Sequence, residues 1–201
     1  MSVKIIIDST ADLIPELKEK FYVVPLMVRF GEEEFADGVT INHKTFYEKL
    51  IESDEIPTTS QPTPAAFEEV YSKIVENGDT AVVITLSSKL SGTYQSATIA
   101  AMDYEDSVFV VDSKSITIGA GILAELALNL VKEGKTAKEI ADILNVEREN
   151  ICLVAMLDTL EYLKKGGRIS KTVAFAGGLL SIKPVIQYFA NTTMSAPSKM
   201  K

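Results

Sequence analysis

One cysteine and one histidine are all that 201 residues contain, and these two scarcities exclude several chemistries. With Cys152 alone, neither an intramolecular disulfide nor a multi-cysteine metal site can form. Cys152 lies inside the apolar run "ICLVAML", where a small buried hydrophobe is expected rather than a nucleophile. His43 follows Asn42 at a predicted helix start and reads as a surface or capping residue. Zinc hydrolysis and Ser-His-Asp catalysis fit such a composition poorly. Basic residues are also in deficit: 20 Lys and Arg against 28 Asp and Glu leave a formal net charge of −8. That balance argues against nucleic acid, whose phosphates call for clustered cations, and against adhesion to an anionic bilayer. No apolar run is long enough to span a membrane, so membrane insertion is not expected. "MSVKIIIDST" lacks the long apolar core of a signal peptide, which predicts a cytoplasmic location.

What is present is an alternation of strands and helices. "VKIIIDS" (3–9), "TAVVITLS" (80–87), "SVFVVDS" (107–113) and "ICLVAMLD" (151–158) read as strands buried on both faces. Between them lie helical patterns at 91–104, 120–134 and 137–145, the last opened by a capping box of Thr136 and Glu139. The clearest helix follows "TTSQPTP": Thr63 caps it, Pro64 takes its first position, and Gly78 ends it. Phe67, Val70, Tyr71, Ile74 and Val75 form its apolar face. "YVVPLMVRF" (22–30) is extended and interrupted at Pro25, "GEEEFADG" (31–38) is a turn-rich connector, and 43–53 is helical. The alternation predicts an α/β fold with a parallel sheet covered on both faces. Its strands end in small polar clusters, Asp8-Ser9-Thr10, Ser87-Ser88, Asp112-Ser113 and Asp158-Thr159. Carboxyl ends of strands are where open α/β sheets bind ligands.

Two glycine motifs invite a nucleotide and do not sustain it. "GAGILA" (119–124) matches a dinucleotide loop, but "SKSITI" separates it from its strand, and close packing of a helix start accounts for the glycines. "GGRISKT" (166–172) ends like a phosphate loop without a preceding strand or a glycine before Lys171. Lys164 and Lys165 suit a helix C-terminus closed by Gly166, whereas Arg168 and Lys171 lie beyond it, free for an anion or a partner. "LSGTYQSA" (90–97) leaves a strand and enters a helix through Ser91, Gly92 and Thr93. It offers hydroxyls and backbone N–H groups where anions are favoured. Thr58, Thr59 and Ser60 likewise exceed what one helix cap requires.

Taken in order, "IIIDSTADL", "TSQPTP", "SSKLSGTYQSA", "VVDSKSIT" and "KKGGRISKT" resemble the DegV family of bacterial fatty-acid-binding proteins, over about residues 3–187. The resemblance implies a Rossmann-like α/β lobe, here 1–150, with some early strands free to join a second lobe. It also implies a second α/β lobe with a mixed sheet that begins at 151–187 and is incomplete here. It implies a long-chain fatty acid enclosed between the lobes, with no further cofactor, whose carboxylate is held by Thr59 and Ser91. Ser60, Gly92, Thr93, Ser113 and Arg168 are implied as secondary positions near the head group or a partner. It further implies that the protein is not itself an enzyme, but presents the acid to a separate fatty-acid kinase for phospholipid synthesis. The alternatives are a small-molecule kinase or transferase subunit of the related dihydroxyacetone kinase fold, which would want a substrate-binding histidine, and an inactive fragment. Family chains continue beyond this one and supply a histidine near the head group. "YFANTTMSAPSKMK" (188–201) shows neither family pattern nor apolar periodicity, so a truncation or frame change near Gln187 and a disordered tail are expected. A strand at 182–187 would then present an unpaired edge.

Overall fold

The computed structural model describes residues 2–53, 55–169 and 183–189. The strands are β1 (Val3–Asp8), β2 (Tyr22–Val24), β3 (Met27–Phe30), β4 (Glu33–Ala36), β5 (Thr58–Ser60), β6 (Thr80–Thr85), β7 (Val108–Asp112), β8 (Cys152–Met156) and β9 (Val185–Phe189). The helices are α1 (Pro15–Lys18), α2 (His43–Glu52), α3 (Pro64–Glu76), α4 (Thr93–Ala101), α5 (Thr117–Lys132), α6 (Ala137–Glu147) and α7 (Glu161–Lys165). They build an α/β fold around a parallel sheet of order β2-β1-β6-β7.

Both faces of that sheet are covered, which explains the uninterrupted apolar runs of its inner strands. The strand period of two sends Ile5 and Ile7 to one face and Ile6 to the other. On the first face Ile5, Ile7, Val82, Ile84 and Val111 pack with Leu123, Ala127 and Leu130 of α5 and Ile140 and Leu144 of α6. On the second, Ile6, Val24, Ala81 and Val83 meet Phe67, Tyr71 and Ile74 of α3 and Ala97 and Ala100 of α4. Local signals set the helix ends: the Thr63 hydroxyl accepts from Ala66 N–H at 3.2 Å, and the Thr136–Glu139 capping box closes in both directions. The glycines of "GAGILA" are packing glycines. A Cβ at Gly119 would overlap the Ser115 hydroxyl, and one at Gly121 would overlap the Asp12 carbonyl oxygen.

The remaining strands depart from the sequence expectations. "GEEEFADG" is not only a connector, since it contains β4, and the "TTS" ahead of the α3 cap is β5. Together they flank β3 in an antiparallel sheet of order β4-β3-β5. The glutamates hid β4, yet they are at home on this exposed edge: Glu33 pairs with Lys49 at 2.7 Å and Glu34 with Arg29 at 3.4 Å. Val28, Phe30 and Ile41 form a small core there with Phe35, Phe46 and Leu50. β8 does not join the parallel sheet; it pairs antiparallel with β9. Among the described residues nothing packs over Val154 and Met156, which are exposed on one face of β8. Cys152 is exposed as well, contrary to the buried role expected of it. The strand expected at 182–187 spans Val185–Phe189, pairs with β8 along one edge, and takes in the first two residues of the expected tail. The rest of that tail, at 190–201, and Lys171 lie outside the described residues.

Candidate functional site

In the parallel sheet the chain order turns about β1: β2 follows on one side, β6 and β7 on the other. Open α/β sheets bind ligands at such a reversal, beyond the carboxyl ends of the strands. Here Thr10 leaves β1, Leu86 leaves β6, and both line a cavity of about 570 Å³. Buried Asp8 joins the two connections. Its carboxylate accepts from Thr10 N–H at 2.9 Å, the Thr10 hydroxyl at 2.6 Å and Leu86 N–H at 2.6 Å. Burial pushes its pKa above the ordinary carboxylate value despite those three bonds. Asp112, at the end of β7, accepts from Ser88 N–H at 3.1 Å and from the Ser88 hydroxyl at 2.6 Å. The segment from β6 to α4 is thus fastened from both neighbouring strands before it reaches Ser91.

Five of the seven nominated residues meet in this cavity: Thr59, Ser60, Ser91, Gly92 and Arg168 line it. Thr59 and Ser60 arrive on β5, Ser91 and Gly92 at the start of α4, and Arg168 beyond α7. Leu26, Leu86, Leu90, Ile116 and Leu163 supply apolar walls. The other two nominees stand behind the surface. Thr93 is fully buried, its hydroxyl hydrogen-bonded to that of Ser91 at 2.9 Å. Ser113 is also fully buried; its hydroxyl donates to the Ser115 carbonyl at 3.1 Å and accepts from Ser115 N–H at 3.1 Å. Ser113 therefore builds a turn instead of lining the cavity. α4 starts at Thr93, two residues later than expected, and its first N–H, that of Thr93, donates to the Ser91 hydroxyl at 3.4 Å.

Sequence reasoning missed Gln61 and Thr117 as lining residues. Gln61 stands inside the quoted "TTSQPTP", but nothing in a single sequence says that its carboxamide crosses to α4. Thr117 adopts φ 48°, a left-handed conformation that strains a β-branched residue and that no local pattern announces. His43 sits exposed in the first turn of α2 and is not in the lining. No cluster of metal-binding side chains occurs among the described residues, and no helix among them is long and apolar enough to cross a membrane.

Comparison with known proteins agrees with this architecture. A family model described as "Uncharacterised protein, DegV family" matches residues 2–200, extending past the Gln187 boundary of the sequence resemblance. A DegV domain-containing protein of Caldanaerobacter subterraneus is 36% identical over 187 residues, 92% of this chain and 66% of the relative. One from Staphylococcus aureus is 41% identical over 183 residues, 90% of this chain and 65% of the relative. The chain therefore spans just under two thirds of the length of these curated relatives. Among solved structures, a fatty-acid-binding DegV family protein from Thermus thermophilus superimposes with a TM-score of 0.87. It shares 35% identity, with 98% of this chain and 71% of that one covered. A stearic acid-binding protein from Eubacterium ventriosum gives a TM-score of 0.86 at 30% identity, with coverages of 98% and 70%. With the fold, the cavity and a family match along nearly its whole length in agreement, the chain belongs to the DegV family.

Proposed function

We propose that this protein binds a long-chain fatty acid and presents its carboxylate to a separate fatty-acid kinase. One observation carries the reading: hydroxyls from two different sheets, the start of α4 and an arginine meet in a single cavity whose apolar walls are leucine and isoleucine. Its volume falls in the range of small-molecule sites. The fatty acids named for the structural relatives supply the ligand class. Thr59 and Ser91 donate to the carboxylate, the N–H groups and dipole of α4 add to the same field, and Thr93 orients the Ser91 hydroxyl from behind.

The division of labour follows from magnitudes. Each buried methylene contributes about 0.8 kcal/mol, so a dozen amount to roughly 10 kcal/mol gross. One hydrogen bond to a charged group nets about 1.5–3 kcal/mol. The tail therefore sets affinity, and the hydroxyls set direction and register. Residues 1–150 act as the head-group lobe, and those from 151 begin a second lobe that encloses the tail. No residue in the cavity needs to react, so the protein serves as carrier and the chemistry belongs to the kinase. Solvent extraction of the purified protein, followed by mass spectrometry, tests this reading. A stoichiometric long-chain acid is expected; a polar phosphorylated or hydroxylated metabolite in its place overturns it.

A further inference from the structure

We infer that Gln61 sets the width of the head-group slot by clamping the strand that carries Thr59 to the helix start that carries Ser91. The inference rests on the fatty-acid reading above and assigns a positioning residue within that site. β5 hydrogen-bonds to β3 in the small antiparallel sheet, whereas Ser91 belongs to the parallel sheet's β6–α4 connection. The two hydroxyls thus come from separate sheets, and something must fix their spacing. Gln61 crosses the gap: its Nε2 donates to the Ser96 hydroxyl at 2.9 Å, one turn into α4. Ser96 is buried, and its own N–H is bonded to the Gly92 carbonyl at 3.0 Å, so the acceptor is rigidly placed.

The glycine opposite completes the clamp. A Cβ at Gly92 would overlap the oxygen, carbon and nitrogen of the Gln61 carboxamide. Gly92 is at an ordinary backbone angle, φ −76°, so turn geometry does not demand glycine there. It is the close approach of the carboxamide that does. Gln61 therefore lies flat against the helix start, holding β5 and α4 at one separation. A carboxylate needs that spacing. A lipid bound mainly through its tail does not.

The test compares palmitate with hexadecanol, of equal chain length, by calorimetric titration of the delipidated chain. The parent is expected to prefer palmitate. Gln61→Ala is expected to lose about tenfold in palmitate affinity, the scale of one charge-assisted hydrogen bond, with hexadecanol affinity held within about twofold. Ser96→Ala, outside the cavity lining, should reproduce the selective loss and keeps the test open if Gln61→Ala folds poorly. Gly92→Ala should do the same, and the Gly92→Ala/Gln61→Ala double variant should be no worse than either single change, because both break one contact. Equal losses on palmitate and hexadecanol, or losses that multiply in the double variant, overturn the clamp. A parent without any preference for the acid overturns the head-group reading itself, and the clamp with it.

Discussion

At Asp8, three hydrogen-bond donors converge on one carboxylate that is almost wholly shielded from water. Desolvation outweighs the bonds and raises its pKa above the ordinary value. A raised native value means that the protonated group favours the fold. That contribution is full below the unfolded-state pKa and is lost as pH rises through the native one. Its three hydrogen bonds position Thr10 and Leu86 at the cavity. Asp8→Asn removes the titration, so the variant should gain stability relative to the parent as pH rises over the interval above about pH 4. Urea denaturation at several pH values checks this; a pH-independent difference would count against it. Thr59 and Ser91 obey different arithmetic. Thr59→Ala/Ser91→Ala should weaken acid binding by roughly 3 kcal/mol or more while the apolar tail still retains lipid. Titration with acid and alcohol of one chain length separates the two terms, and an equal effect on both would remove the carboxylate role. These hydroxyls were legible because they exceed what local caps require. Thr117 was not, because its left-handed angle goes with a bridge to Ala11 and a hydrogen bond from Asp12 N–H, both far away in the chain.

Elements in this protein are written locally at their ends and globally in their partners. α6 shows the first: Thr136 and Glu139 form a complete capping box that sequence spacing alone identifies. The backbone N–H of Thr136, and then its hydroxyl, hold the Glu139 carboxyl below its ordinary value. A lowered native pKa contributes stability above the unfolded-state value that is lost as pH falls through the native one. Through loss of the helix cap, Thr136→Ala should cost about 1 kcal/mol in chemical denaturation at neutral pH. The gap to the parent should narrow on acidification below the usual glutamate range, and a gap that widens would contradict the assignment. β4 and β8 show the second. Glutamates disguised β4 as a connector, because an exposed antiparallel strand can carry charge that a buried one cannot. The apolar run of β8 resembled the parallel strands, although its partner is β9 and its alternate side chains stay exposed.

Across the molecule, three separately built regions converge on one cavity: the parallel-sheet ends, β5, and the segment beyond α7. Arg168 stands on the last of these, exposed, with its guanidinium donating to the Gly166 carbonyl. That position suits an anionic group arriving from outside more than the lipid tail. On the proposed function, Arg168→Ala should keep bound fatty acid on extraction yet slow its phosphorylation by a fatty-acid kinase; equal rates for variant and parent would dismiss the role. The sequence alone determined the α/β class, the helix caps and the hydroxyl motifs, because these depend on periodicity and on contacts a few residues apart. The tertiary structure decided which motifs meet. It sent Ser113 into a turn, Cys152 to the surface and Gln61 across to Ser96, because pairings between distant strands and helices leave no periodic trace in the chain.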